Sequence, residues 1–275
     1  MLKITEQESN YRHLEKMSVE EITKNINKED QSVALAIEHA LPAINDLINT
    51  IVDKISTGGR LFYVGAGSGG RLSVLDTIEL PTTFGVSNDL FNVILAGGKE
   101  HLIEAPEEKE DDINSAWEML VQHKVNVKDI VIGISASGTT PFVLSALKEC
   151  RKNNISAGCI VSNPNSTIAE QSDYIVELIT GPEFISGSTR MKCGTAQKMI
   201  FDMISTSTMI KLGRVQDNKM VNVKLINDKI IDRAVKMLMG NTGITDYAKA
   251  KELLLKEGSV KKAEDSWKNN NKSTE

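Results

Sequence analysis

Arg60-Leu-Phe-Tyr-Val-Gly-Ala-Gly-Ser-Gly-Gly-Arg71 is the stretch of sequence that decides the fold, because a strand, a turn and a helix start follow one another in it. Its first half is an apolar run of strand-forming residues, four glycines come next, and residues 71–75 resume with helical spacing. A strand, a glycine turn and a helix direct several backbone N–H groups at one point, which suits an anion. The stretch therefore predicts a phosphate site, with a ligand-free βα turn as the alternative.

Two common nucleotide motifs do not fit this turn. It lacks the Gly-Lys-Ser/Thr ending of a P-loop. The next strand, Phe91–Leu95, runs into Ala96-Gly-Gly98 and does not end on an acidic residue, as a dinucleotide-binding fold requires. The turn is thus a phosphate candidate without a nucleotide signature.

The composition of the 275 residues is that of an ordinary globular protein, with 40% hydrophobic and 25% charged residues. The formal net charge of −5 argues against a nucleic-acid partner. Cys150, Cys159 and Cys193 are scattered and form no metal-ligand pattern, which indicates a reduced, cytoplasmic protein without a metal. No apolar run reaches membrane-spanning length, and the N-terminus is too charged for a signal peptide.

The middle of the chain alternates strands and helices. The strand candidates are Arg60–Val64, Phe91–Leu95, Asp129–Ser135, Ala157–Val161 and Tyr174–Thr180. The helical candidates among them lie near Gly70–Leu80, Ala105–His123, Pro141–Asn153 and Thr167–Gln171, and a longer one, Thr195–Leu212, follows. Apolar strands separated by helices predict an α/β fold in three αβα layers around a five-stranded parallel sheet.

Helical regions flank this sheet on both sides. At the N-terminus we expect a short helix over Leu14–Asn27, with a Ser18/Glu21 capping box, and a longer one over Asp30–Ser56 that Pro42 can kink. The C-terminal helices are expected at Asn227–Met239, Asp246–Lys256 and Ser259–Trp267, with a disordered tail from Lys268. The predicted domains are 1–57, 58–216 and 217–275.

In parallel sheets ligands bind beyond the carboxyl ends of the strands, where this chain has further polar stretches. Ser135-Ala-Ser-Gly-Thr-Thr-Pro141 could cradle a phosphate, although a plain helix N-cap with Pro141 in the first turn is favoured when the segment is taken alone. Ser162-Asn163-Pro164 follows the next strand and could be a simple turn. Gly181-Pro-Glu-Phe-Ile-Ser-Gly-Ser-Thr-Arg-Met-Lys192 brings hydroxyls and two basic residues to the start of a long helix.

Together these segments resemble the sugar isomerase (SIS) domain and, more narrowly, the N-acetylmuramic acid 6-phosphate etherases. The resemblance runs from Thr5-Glu6 to about Ala263, and its most specific part is the segment from Gly181 to Lys198. Further matching blocks are Tyr63–Leu72, Asp76–Gly85, Ala96–Gly98, Ser135–Pro141 and Asn218–Val221.

The resemblance implies an SIS-type fold and an enzyme that cleaves a lactyl ether. Members convert N-acetylmuramic acid 6-phosphate to N-acetylglucosamine 6-phosphate and D-lactate during cell-wall recycling in the cytoplasm. They act as homodimers, without a metal or cofactor. Two carboxylates can share the acid and base work, and they match Glu79, the expected acid, and Glu110, the expected base. In the acid-rich run around Glu110 the register is open, and Glu107 is the alternative.

The resemblance also implies which residues hold the substrate and its phosphate. They are Gly67, Ser68, Gly69, Arg71, Ser135, Ser137, Thr139, Thr140, Ser162, Asn163, Glu183, Ser188, Lys192 and Lys198. Gly69 departs from the family pattern, which has a serine there, so we expect Gly69→Ser to tighten substrate binding. Leu80-Pro-Thr82 and Lys109 are further departures.

Two other functions compete with the etherase. A non-catalytic sugar-phosphate sensor, the role of the related glucokinase regulatory proteins, needs the phosphate cradle but neither carboxylate. An aldose–ketose isomerase of the SIS type shuttles a proton between two carbons and needs no acid aimed at a leaving group. The presence of both Glu79 and Glu110 favours the etherase over either alternative.

Overall fold

The structure, a computed structural model, describes residues 3–103 and 107–272 and is built around a parallel sheet. The strands are β1 (Leu61–Gly65), β2 (Phe91–Leu95), β3 (Ile130–Ser135), β4 (Ser156–Val161) and β5 (Tyr174–Glu177). They form one five-stranded sheet in the order β2-β1-β3-β4-β5, and every pairing is parallel. The predicted α/β class and its five-stranded parallel sheet are confirmed.

Helices cover both faces of this sheet. They are α1 (Val19–Ser56), α2 (Gly67–Phe84), α3 (Ser115–Gln122), α4 (Pro141–Lys152) and α5 (Lys192–Lys211). Neighbouring side chains of a strand point to opposite faces of the sheet. The contacts of two consecutive residues of β1, Phe62 and Tyr63, therefore show which helices cover each face. Phe62 packs in one buried cluster with Leu120 of α3 and Phe142 of α4. Tyr63 contacts Phe201 of α5, with ring centroids 5.1 Å apart, so the layers are α, β and α.

The carboxyl ends of β1 and β3 form the natural ligand crevice of this sheet. From β1 the chain crosses to β2 on one side, and it later returns to β3 on the other side. The segments that leave β1 and β3 therefore diverge and open a crevice at the strand ends. Gly65 is in register with Ile134, so the glycine turn and the hydroxyl-rich loop start side by side.

The N-terminal helix differs from its prediction. Ser18 and Glu21 form the predicted capping box, but a single helix then runs through Pro42 to Ser56, and Leu14–Lys16 is a 3-10 turn before it. A proline inside a helix costs about 3 kcal/mol or more. Apolar side chains on both sides of Pro42 are buried, from Val33 to Ile55, and the burial of each contributes about 1.5–3 kcal/mol. Packing on the sheet therefore offsets the cost of the proline.

The segment that carries Glu110 also differs from its prediction. In place of one helix over 105–123 there is a one-turn 3-10 helix, Glu107–Asp111, followed by α3, while residues 104–106 lie outside the described residues. The Oδ1 atom of Asp112 accepts hydrogen bonds from the backbone N–H groups of Asn114 and Ser115, at 2.9 and 3.1 Å. Such side-chain bonds compete with the helical pattern and separate the two elements.

The chain forms two compact units. The first comprises Met1–Thr77 and Asp89–Thr208, and the second comprises Ile78–Asn88 and Met209–Glu275. In the second unit the short antiparallel strands β6 (Val215–Gln216) and β7 (Lys219–Met220) precede α6 (Asp228–Thr242), α7 (Tyr247–Glu257) and α8 (Val260–Lys272). The division into 1–57, 58–216 and 217–275 stays a prediction. α8 continues to Lys272, where the sequence predicts disorder from Lys268, and residues 273–275 lie outside the described part.

The cysteines are buried and unpaired. Burial raises the pKa of the Cys150 thiol to about 12 and those of Cys159 and Cys193 to about 11. These thiols therefore stay protonated at neutral pH and are poor nucleophiles. Within the described residues, no helix combines the length and the apolar character needed to cross a membrane.

Candidate active site

The turn between β1 and α2 is tight because its glycines allow backbone elements to come close together. A Cβ on Gly70 would stand 2.6 Å from Cδ1 of Leu95, and Gly70 donates a hydrogen bond to the Ala66 carbonyl at 3.1 Å. Gly67 has a φ of +54°, a left-handed conformation that favours glycine. Since α2 begins at Gly67, its first N–H groups lie at the carboxyl edge of the sheet without partners within the helix, as an anion site needs.

Gly69 has no room for the serine that the family pattern places there. A Cβ at this position would stand 2.8 Å from Cγ2 of Ile134 and 3.0 Å from Oε1 of Gln197. The first distance is shorter than van der Waals contact, so Ile134 must shift before a serine can fit. The expectation that Gly69→Ser tightens binding is therefore replaced by one of lower stability.

The loop after β3 presents hydroxyl groups that bond to one another. The Ser135 hydroxyl lies 2.8 Å from Oγ1 of Thr140 and 3.2 Å from Oγ of Ser137, and it accepts a hydrogen bond from the Gly138 N–H at 3.0 Å. Thr140 occupies the N-cap position of α4, but its side chain makes no capping hydrogen bond. The hydroxyls are therefore not consumed by capping, and they can turn toward a ligand.

A cavity of about 170 Å³ lies against this loop, and we name it the hydroxyl cavity. Its lining residues are Glu6, Ala66, Gly67, Ser68, Gly69, Glu110, Ile134, Ser135, Ala136, Ser137, Thr140, Gly187, Thr189 and Gln197. The glycine turn and the hydroxyl loop thus line one cavity, as their register in the sheet requires. Hydroxyl groups and helix N–H groups are both good donors to a phosphate.

A second cavity, of about 270 Å³, adjoins the first, and we name it the arginine cavity. Its lining residues are Gly67, Ser68, Arg71, Ala96, Glu107, Glu110, Ser188, Thr189 and Arg190. Four residues line both cavities: Gly67, Ser68, Glu110 and Thr189. The two cavities are therefore adjoining parts of one cleft at the β1/β3 crevice.

Glu110 lies where the two cavities meet. Its Oε1 atom is 2.9 Å from the point at which a Cβ of Gly67 would stand, so the carboxylate lies directly over the glycine turn. Burial raises the pKa of Glu110, the charge of Glu107 raises it further, and the nearby Arg71 guanidinium opposes both. Glu107 is exposed and lines the arginine cavity only, which favours Glu110 over Glu107 as the candidate base.

Glu79, the candidate acid, is not brought into this cleft. It lies eleven residues after Ser68 on α2, about three helical turns, and its side chain is exposed. It does not line the hydroxyl cavity or the arginine cavity. Its catalytic role stays a prediction.

Glu183, in the segment before α5, and Lys192, the first residue of α5, make buried structural contacts. Glu183 is 1% exposed, and its carboxylate accepts hydrogen bonds from the backbone N–H groups of Lys192 and Cys193, at 2.8 and 3.0 Å, which caps α5. The Lys192 ammonium group forms an ion pair with Glu29 of α1 at 2.6 Å, and the Tyr11 hydroxyl donates to the same carboxylate. These contacts hold in place the segment that carries Ser188 toward the arginine cavity.

Four other predicted binding residues lie outside the cleft lining. Lys198 pairs with Asp202 at the surface. The Asn163 amide donates to Oγ1 of Thr5 at 2.9 Å and to the Ala136 carbonyl at 3.0 Å, so it braces the N-terminal segment. Thr139 receives a hydrogen bond from Lys3 at 2.7 Å, and Ser162 is buried at 2% exposure.

The structure adds four polar residues to the cleft that sequence reasoning missed: Glu6, Thr189, Arg190 and Gln197. Arg190 and Lys192 belong to the same short segment, and nothing in the pattern indicates which of them faces the cleft. Glu6 is far from the cleft in sequence. The N-terminal segment that carries it is tied down by the Thr5–Asn163 contact and by the Ser9 hydroxyl, which donates to the Phe184 carbonyl at 2.7 Å. Among the described residues, no group of three or more His, Cys, Asp or Glu side chains could hold a metal ion.

The parallel sheet and the cleft at its carboxyl edge are typical of one class of protein, and two family models match this chain to the same class. The model of the glucokinase regulatory protein N-terminal SIS domain matches residues 43–151, and that of the SIS domain matches residues 113–207. A solved phosphoheptose isomerase from Francisella tularensis superposes with a TM-score of 0.53 at 18% identity, over 72% of this chain and 100% of that one. This protein is an SIS-domain protein.

Curated relatives narrow the class to one family. A protein from Bacteroides fragilis named N-acetylmuramic acid 6-phosphate etherase is 52% identical over 97% of this chain and 95% of its own. A relative of the same name from Bacteroides thetaiotaomicron is 50% identical over 98% of this chain and 97% of its own. The chain belongs to the N-acetylmuramic acid 6-phosphate etherase family.

Proposed function

We propose that this enzyme cleaves the D-lactyl ether of N-acetylmuramic acid 6-phosphate, giving N-acetylglucosamine 6-phosphate and D-lactate in cell-wall sugar recycling. The observation that carries the proposal is the place of Glu110, a half-buried carboxylate shared by the hydroxyl cavity and the arginine cavity. A base at that point can act on a sugar whose phosphate occupies one cavity and whose reacting carbons extend into the other.

The hydroxyl cavity holds the 6-phosphate. Its donors are the first N–H groups of α2 and the hydroxyls of Ser68, Ser135, Ser137 and Thr140. A net charge of −5 does not attract an anion over distance, so recognition rests on these local groups. Hydrogen bonds to a charged acceptor contribute about 1.5–3 kcal/mol each, enough to position the sugar for reaction.

Glu110 removes the C2 proton of the opened sugar. The C1 aldehyde next to C2 makes this proton acidic, and its electron pair forms the C2–C3 double bond as the bond from C3 to the lactyl oxygen breaks. A base acts best when its pKa lies close to the working pH, and burial moves the pKa of Glu110 in that direction.

The lactyl oxygen takes a proton as it leaves, and water then completes the reaction. The hydroxyl of the water adds to C3, and C2 regains a proton from the base. We assign protonation of the lactyl oxygen to Glu79 on the family resemblance alone, because Glu79 lies about three helical turns beyond Ser68 and lines neither cavity.

The enzyme acts on this small sugar phosphate as a cytoplasmic homodimer, without a nucleic-acid partner, a metal or a cofactor. The net charge of −5 argues against nucleic acid, and three unpaired cysteines fit a reducing compartment. Light scattering of the purified protein measures the oligomeric state, and a mass of twice 30.2 kDa is expected.

A sugar-phosphate sensor is the competing function, and the match of residues 43–151 to the glucokinase regulatory protein model supports it. A sensor and an etherase differ in turnover. We therefore propose incubation with N-acetylmuramic acid 6-phosphate and an enzymatic assay for D-lactate, alongside a binding measurement. Lactate formed in proportion to enzyme and time supports the etherase. Binding without lactate supports the sensor.

A further inference from the structure

Two guanidinium groups line the arginine cavity, those of Arg71 and Arg190. Arg71 lies near enough to Glu110 for its charge to lower the pKa of that carboxyl. Neither Arg71 nor Arg190 forms a hydrogen bond or an ion pair with another residue in the described ranges 3–103 and 107–272. Arg71 is half-buried and Arg190 is exposed. The carboxylates of Glu107 and Glu110 line the same cavity, so its formal charges balance before any ligand enters.

The hydroxyl cavity has a different chemistry. It contains hydroxyl groups, helix N–H groups and the carboxylates of Glu6 and Glu110, but no arginine or lysine among its lining residues. The two cavities meet at Glu110 and Thr189, so a ligand that reaches both presents one end to neutral donors and the other to guanidinium groups. Such a cleft suits a ligand with two separate anionic groups.

The substrate of the proposed function has two such groups. One is the 6-phosphate, and the other is the carboxylate of the lactyl group on C3. Arginine is suited to a carboxylate because its planar fork can donate two parallel hydrogen bonds. The product N-acetylglucosamine 6-phosphate retains the phosphate and lacks the carboxylate, which makes it a natural probe.

We propose that Arg190, with Arg71 beside it, binds the lactyl carboxylate and so selects sugars that carry an acidic ether substituent. This proposal rests on the proposed function, and it adds a specificity residue that sequence reasoning did not single out. With the carboxylate on the arginines and the phosphate in the hydroxyl cavity, the carbon atoms between them pass Glu110, where the proton is removed.

The test measures binding without turnover. Glu110→Gln serves as the background, and dissociation constants of N-acetylmuramic acid 6-phosphate and N-acetylglucosamine 6-phosphate are measured by titration calorimetry. Adding Arg190→Gln is expected to weaken binding of the first ligand about 10–100-fold, as for a hydrogen-bonded charged pair, and that of the second less than about 3-fold. Adding Ser137→Ala, a residue of the hydroxyl cavity, is the matched control and is expected to weaken both.

Two outcomes overturn the proposal. An equal loss for both ligands shows that Arg190 binds the phosphate, and no loss for either shows that it binds no part of the ligand. Arg190 is exposed, so the variant is expected to fold, and a thermal melt checks this. Lactate release by the unchanged protein is measured separately. Its absence contradicts the proposed function, whereas the two dissociation constants still decide whether Arg190 recognises the carboxylate.

Discussion

The Glu110 carboxylate lies directly over Gly67, with Oε1 2.9 Å from the position of a Cβ on residue 67. Any side chain at residue 67 would meet this oxygen. The glycine therefore has two functions: it accepts a φ of +54°, and it leaves space for the carboxylate at the N-terminus of α2. The position of the candidate base thus depends on the absence of a side chain in the phosphate turn.

Replacing Gly67 with alanine is expected to reduce kcat at least about 10-fold, because the new methyl group displaces Glu110 from the reacting carbon. Gly58→Ala is the matched control. Gly58 also has positive φ, at +88°, but nothing lies within 4 Å of an added Cβ. Both variants are expected to lose about 1 kcal/mol of stability from backbone strain, and only Gly67→Ala loses activity. Equal activities would contradict this role of Gly67.

The pH dependence of kcat/KM reports the ionisation of Glu110 in the free enzyme. The base must be deprotonated, so the rate falls as the pH drops through its pKa, and the raised pKa places this acidic limb above that of an ordinary carboxyl. Glu107→Gln removes a charge that raises the pKa, and the limb is expected to move to lower pH. Glu108→Gln, an exposed neighbour that does not line the cleft, is expected to leave it nearly unchanged. A limb unmoved in the Glu107 variant would show that a group other than Glu110 is titrating.

Substitution of Lys192 and of Lys198, two lysines of α5, tests whether each residue has a structural role or a role in substrate binding. Among the described residues, Lys192→Met leaves the partly buried Glu29 carboxylate with only the Tyr11 hydroxyl as a hydrogen-bond partner, and it is expected to cost about 1–3 kcal/mol in urea unfolding. Lys198→Met removes only an exposed pair with Asp202 and is expected to cost less than about 1 kcal/mol. A stable Lys192→Met protein with a raised KM would show instead that Lys192 binds substrate.

Ser137→Ala tests the hydroxyl cavity. Loss of one donor to the phosphate is expected to raise KM about 10-fold or more with little change in kcat, the pattern of uniform binding. Ser145→Ala is the control, because Ser145 lies on α4 and donates to the Phe142 carbonyl outside the cleft. With unphosphorylated N-acetylmuramic acid the effect of Ser137→Ala should vanish. A loss that persists without the phosphate would assign Ser137 to another part of the sugar.

The sequence predicts the sheet well because buried parallel strands are short apolar runs bounded by turn residues. It predicts the glycine turn and the hydroxyl loop for a similar reason, since both lie at strand ends where local pattern fixes their place. The continuity of α1 through Pro42 depends on packing against the sheet. The helix propensities of the residues around Pro42 carry no information about that packing, so the sequence did not predict it.

The part of the cleft that sequence reasoning missed depends on long-range contacts. Glu183 and Lys192 look like ligands in sequence, yet their partners are the start of α5 and Glu29, which only the fold brings near. Glu6 enters the cleft on an N-terminal segment held by Asn163. The choice of Glu110 within an acidic run came from family resemblance, and its contact with Gly67 is visible only in three dimensions.

The most direct test is turnover of N-acetylmuramic acid 6-phosphate in deuterated water. The unchanged protein is expected to release equal amounts of D-lactate and N-acetylglucosamine 6-phosphate, and the product is expected to carry deuterium at C2. Glu110→Gln is expected to lower lactate release about 10²–10⁴-fold and to abolish deuterium exchange at C2. Lactate release without deuterium at C2, or undiminished release by Glu110→Gln, would contradict elimination with Glu110 as the base.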